Sequence, residues 1–209
     1  MLKQLFIETC HNYTSNNAVI ENLWVEIEQQ YSGKKRYYHN LLHLENLHVQ
    51  LTAIKNYVQN WDALMFALFY HDIVYNTLKH DNEEKSTTLA GNRLAEINVP
   101  IALITKCQAQ ILATKGHSVS ADADTNLFTD ADLSILGQPA EVYKTYCNQI
   151  RKEYSIYPDI IYNPGRKKVL EHFLQMERIF KTTIFYDMFE QQARQNIGLE
   201  IELLKGLNV

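Results

Sequence analysis

Apolar positions recur along this chain at three- and four-residue intervals, with little of the strict alternation that marks strands, and the pattern predicts a succession of helices. Between about Asn17 and Tyr31, the residues Ile20, Leu23, Trp24 and Ile27 fall on one stripe that stops at Ser32-Gly33. A second helix is predicted from about Asn40 to Val58, carrying Leu44, Leu47, Leu51, Ile54 and Val58. The third, with Asp62 as its N-cap and an end near Tyr75, contains the unbroken apolar run Ala63 to Tyr70, which predicts burial on most sides.

Asp81 opens the fourth predicted helix, with Glu84 at capping-box spacing. Pro100 suits the first turn of a fifth, and Gly116 suits its left-handed end. A polar loop through Asp124, a short helix across Asp132 and a helix from Pro139 to near Tyr154 follow. The stretch Ser155 to Gly165, with Pro158, Asp159, Asn163 and Pro164, reads as a loop. Beyond it one helix carries Val169, Leu170, Phe173, Leu174 and Phe180, and a last one runs from about Asp187, with Glu190 at capping-box spacing, to Leu204.

With 209 residues, 46% of them hydrophobic, and only 7 glycines and 4 prolines, the expected fold is a single all-α domain over residues 1–209. A net charge of −4 with dispersed basic residues argues against capture of a nucleic-acid polymer or an anionic membrane. Cys10, Cys107 and Cys147 are far apart and form no Cys-x-x-Cys pair, so they read as reduced thiols. Met1 to Glu8 lacks the apolar core of a secretory signal, and the run ending at Tyr70 is too short to span a bilayer, so a cytoplasmic protein is expected.

Chemistry concentrates at His71-Asp72, where a neutral ligand type and an ionised carboxylate close the apolar run. Burying that carboxylate costs several kcal/mol unless something compensates it. Candidate compensators lie upstream in Tyr38-His39-Asn40-Leu41-Leu42-His43 and downstream in Asp130-Ala131-Asp132-Leu133-Ser134. A scattered His, His-Asp, Asp set is what a divalent cation needs when separate helices supply its ligands. His39 and His43, four positions apart on the second predicted helix, project from nearly one face, so one can bind metal while the other faces substrate.

The order His43, His71-Asp72, Asp132 resembles the HD superfamily of metal-dependent phosphohydrolases. Tyr38-His39-Asn40-x-x-His43, Phe69-Tyr70-His71-Asp72-x-Val74-Tyr75, Asp81 to Ser86 and Asp130 to Gly137 are similar to one bacterial branch of it. That likeness continues through Ile150-Arg151-x-Glu153-Tyr154 and Gly165-Arg166-x-x-Val169-Leu170, so it covers nearly the whole chain. The resemblance implies an HD-type helical domain that hydrolyses a phosphate ester, on a nucleotide or another small phosphorylated metabolite. It also implies metal ligands His43, His71, Asp72 and Asp132, the last preferred over Asp130 through its Ala131-Asp132-Leu133 setting.

By similarity to the distantly related cyclic-nucleotide phosphodiesterases, His39 is the expected general acid, and Asp72 also orients the attacking water. One divalent ion is expected, with a second possible in principle, because Asn82, Glu83 and Glu84 replace the further ligands of two-metal relatives. Mn, Mg, Fe, Co, Ni and Zn all suit such ligands. Lys115, His117 and Arg36 are the expected phosphate contacts. Against this stand simpler readings: Lys115 and His117 as helix-end cations, Arg36 as part of the solvated run Lys34-Lys35-Arg36, and Glu83 and Glu84 as first-turn acids. Two other functions fit the same residues, a non-hydrolytic metal or nucleotide-binding regulatory module and an HD-type metal oxygenase.

Overall fold

The computed structural model describes residues 1–206. It is 72% helical, and among the described residues it holds ten α-helices and no strand, so the fold is all-α. The helices are α1 Leu2–His11, α2 Asn17–Tyr31, α3 Leu41–Ala53, α4 Trp61–Tyr70, α5 Asn82–Glu96, α6 Ile101–Ala113, α7 Ala123–Leu133, α8 Ala140–Glu153, α9 Asp159–Gln175 and α10 Thr183–Gly206. The chain packs as two units, residues 1–129 and residues from 130 onward, with the division inside α7. No described helix is long and apolar enough to cross a membrane.

In the first unit α4 is the core, because every residue from Ala63 to Tyr70 is fully buried. A helix apolar on all sides has to be surrounded, and α1, α3, α5 and α6 surround this one. Its N-terminus is satisfied from afar: the buried carboxylate of Asp124 accepts from the N–H groups of Gln59 at 2.9 Å and Asn60 at 2.8 Å. Asp62, the expected cap, lies instead in the first turn and accepts from Asn12 and Tyr13, which joins α1 to α4.

Several expected boundaries change in this unit. The predicted helix over Asn40 to Val58 ends at Ala53 and tightens into a 3-10 turn, Lys55–Tyr57; Ile54 stays buried, so apolar spacing alone hides the change. Asp81 precedes α5, but its carboxylate pairs with Lys85 and makes no cap bond, while Glu84 pairs with Lys115. Gly116 is not left-handed; His117 is, at φ 48°. The expected loop through Asp124 is already the first turn of α7, because the side chain of Asp122 accepts from the N–H of Thr125 and so caps that turn.

In the second unit α10 packs on α9 and on a 3-10 turn, Ser134–Gly137. A Cβ at Gly137 would stand 2.4 Å from Cβ of Phe189, so only glycine permits that approach. The expected loop Ser155 to Gly165 is a helix from Asp159, with Pro164 inside it. Pro158 precedes the first turn, and the carbonyl that Pro164 leaves without a partner belongs to Ile160, a residue 79% exposed and open to water. That helix ends at Gln175, before the buried Phe180.

The last helix starts at Thr183, ahead of Asp187, because Asp130 caps it: its carboxylate accepts from the N–H groups of Lys181 and Thr182 and from the Thr182 hydroxyl. Glu190 accepts from the N–H groups of Ile179 and Phe180 rather than closing a capping box.

Candidate metal centre

Local chemistry delivers His43. Asn40 caps α3, its side-chain oxygen accepting from the N–H of Leu42 at 2.9 Å and of His43 at 3.4 Å, which places His43 in the first helical turn. His39 therefore precedes the cap and is not on the helix, contrary to expectation, yet its ring centroid lies 5.8 Å from that of His43.

His71 follows the last residue of α4, and the helix stops there because side chains claim the next backbone groups. Tyr31 accepts from the N–H of Asp72, Ser86 accepts from the N–H of Val74, and Arg36 donates to the carbonyls of Asp72 and Ile73. The predicted extension of α4 to Tyr75 is thereby excluded.

These turns bring four side chains together within the first unit. The Nε2 atoms of His43 and His71 lie 3.0 Å apart. The Oδ2 atom of Asp72 is 3.1 Å from Nε2 of His71, 3.8 Å from Nε2 of His43 and 3.9 Å from Nε2 of His39. Burial pushes the Asp72 carboxyl up, but the imidazoles of His71, His39 and His43 outweigh it and hold the group well below the usual carboxylate range.

Whether a cation fits can be read from the donor set. The Nδ1 atom of His71 lies 3.0 Å from the carbonyl oxygen of Leu68, which can only accept, so Nδ1 carries a proton, and whenever the ring is neutral its Nε2 is a lone pair. That lone pair faces a carboxylate oxygen, a repulsive contact unless a proton or a metal ion lies between. With metal–ligand bonds of about 2.1 Å, neighbouring ligands sit about 3.0 Å apart in an octahedron and about 3.4 Å in a tetrahedron. The 3.0 and 3.1 Å separations fit octahedral edges, whereas the 3.8 Å between His43 and Asp72 is longer than either edge.

One ligand atom from each of His43, His71 and Asp132 lies within 4.8 Å of the other two, so these residues could hold a metal ion. The Phe128 ring stands edge-on to His71 at 5.7 Å, and Asp132 is one turn further along the same helix. Asp130 is fully buried and already engaged in capping α10.

The expected phosphate contacts fare differently. Arg36 does not present a free fork, because its guanidinium is held by three backbone carbonyls. Lys115 donates to the carbonyl of His80 and to the carboxylate of Glu84, tying the end of α6 to the start of α5. His117 stands in the left-handed conformation just beyond α6.

Tyr31, Tyr75 and Ser86 also shape the site, although none of them is an expected site residue. The Tyr75 ring lies 4.3 Å from that of His39, and Ser86 also donates back to the carbonyl of Val74. Ser86 ends the expected Asp81-to-Ser86 motif, a signal that was present without a partner to attach it to. No protein-family model, no curated protein and no solved structure matches this chain.

Proposed function

We propose that this chain is an HD-type metal-dependent phosphohydrolase acting on a nucleotide or another small phosphorylated metabolite. The observation that carries the reading is the buried His43–His71 pair, with Nε2 atoms 3.0 Å apart and the Asp72 carboxylate 3.1 Å from the second ring. His43, His71, Asp72 and Asp132 are the proposed ligands of one divalent ion. When bound, such an ion supplies Lewis acidity toward a phosphoryl oxygen and a water acidified toward neutral pH.

The remaining work falls to the chain. His39 is 19% exposed, so its Nε2 can hold a proton at the centre while remaining open to a substrate oxygen. Donating that proton to the departing alkoxide is its proposed step. Tyr38 and Tyr75 pack against the His39 ring, at 5.0 and 4.3 Å between centroids, and limit its rotation. Asp72 keeps a fully ionised carboxylate that can accept from an attacking water.

The test is a broad screen of phosphomonoesters and phosphodiesters with metal-loaded protein, comparing wild type with Asp72→Ala. Turnover in wild type that disappears in the variant supports the reading; no turnover by a metal-loaded wild type overturns hydrolysis. One observation favours the non-hydrolytic regulatory module: Arg36 and Lys115, both expected on phosphate, are engaged by protein groups. Retained metal and bound nucleotide without phosphate release would establish that second reading.

A further inference from the structure

Arg36 lies between α2 and α3, outside any helix, and is half-buried. Its Nη1 donates to the carbonyl oxygens of His39 at 3.0 Å and Asp72 at 2.7 Å, and its Nη2 to that of Ile73 at 2.8 Å. Tyr31 and Tyr75 flank the guanidinium, at 4.8 and 5.4 Å from its carbon. Both rings also touch what Arg36 holds: the Tyr31 hydroxyl accepts from the N–H of Asp72, and Tyr75 packs on His39. One planar cation thus joins the segment carrying His39 to the turn carrying Asp72.

Resting on the metal-centre reading above, we propose that Arg36 is a positioning residue whose guanidinium sets the separation between the imidazole of His39 and the carboxylate of Asp72. Each of the two side chains is anchored through its own backbone carbonyl to the same fork. Neither segment can shift without breaking a charge-assisted hydrogen bond, about twice as strong as a neutral one. A lysine cannot substitute, because a single ammonium does not reach three carbonyls in a fixed plane.

The test uses the full chain as wild type, Arg36→Lys and Arg36→Ala, with Mn2+ affinity measured by competition and kcat and KM measured on whichever phosphate ester wild type turns over. Arg36→Ala is expected to bind Mn2+ about tenfold more weakly, as for other groups that orient metal ligands. Its kcat should fall about a hundredfold with KM within about twofold, because misplacement touches the reaction more than binding. Arg36→Lys, which keeps the charge, should recover little of either, and added methylguanidinium should restore Arg36→Ala at least tenfold.

If wild type binds Mn2+ and Arg36→Lys matches it in affinity, the proposal is overturned while the metal centre stands. If wild type binds no metal, the metal-centre reading falls and takes this role with it. Unfolding of both variants without recovery by methylguanidinium also overturns the proposal, since Arg36 would then serve only the fold.

Discussion

The Nδ1 atom of His71 donates to the carbonyl oxygen of Leu68, three residues earlier on α4, at 3.0 Å. That bond does two things at once. It supplies a partner to a carbonyl in the last turn of α4, and it aims Nε2 at His43 and Asp72. A ring oriented by its own helix needs no outside support to act as a ligand, which is why the site can form at the end of the most buried element of the chain.

His39→Gln should keep metal affinity within about threefold of wild type while lowering kcat on an alkyl phosphate ester by about a hundredfold or more. The loss should shrink for esters of acidic phenols, whose leaving oxygens need no proton. Rates measured against leaving-group pKa check this; an equal loss on both kinds of ester would remove His39 from the acid role.

Asp130 and Asp132 stand two positions apart and should separate cleanly. Asp132→Ala should lose metal affinity. Asp130→Ala removes three hydrogen bonds at the start of α10 and leaves the buried Lys181 side chain without its carboxylate, so stability should fall by about 3–5 kcal/mol, seen in the urea midpoint. A metal defect in Asp130→Ala at a temperature where it remains folded would contradict the assignment.

Glu200 predicts the direction of the acid response. Burial pushes its carboxyl up, but hydrogen bonds and charge from Arg166, with further bonds from Tyr143 and Cys147, hold it below the ordinary 4.5. A carboxyl lowered in the folded state binds fewer protons than in the unfolded chain, so its contribution is complete above that ordinary value and is lost as pH falls through the folded value. Glu200→Gln should therefore flatten the loss of stability below about pH 4.5. Arg166→Met leaves the buried carboxylate without its cation, with only Tyr143 and Cys147 still donating to it, and should cost about 3–5 kcal/mol at neutral pH. Thermal midpoints taken across pH check both variants.

What the sequence could and could not disclose follows the range of the interactions involved. That His71 and Asp72 need partners is legible because ionisable groups at the border of an apolar run demand them, and Asn40 announces the helix start that carries His43. The α2 boundaries were legible for the same local reason.

The loop reading of Asp124 and the capping-box reading of Glu190 fail, and the capping role of Asp130 is invisible, because each satisfies backbone groups that belong to another part of the chain: Asp124 those of Gln59 and Asn60, Asp130 those of Lys181 and Thr182, Glu190 those of Ile179 and Phe180. The role of Arg36 was hidden likewise, since a basic residue after Lys34-Lys35 gives no hint that carbonyls near residue 72 will claim it. Pro164 misled through its own strength as a breaker, in a helix that Pro158 had already started.

The most direct test of the account is calorimetric titration of Mn2+ into chelator-stripped protein, wild type beside His71→Ala. The account predicts saturable binding of one ion per chain in wild type and its loss in the variant, with both proteins folded by circular dichroism. At a free concentration of about 100 times Kd the ion should also add about 2.7 kcal/mol of stability to wild type alone. Binding of equal strength in His71→Ala, or none in folded wild type, would contradict it.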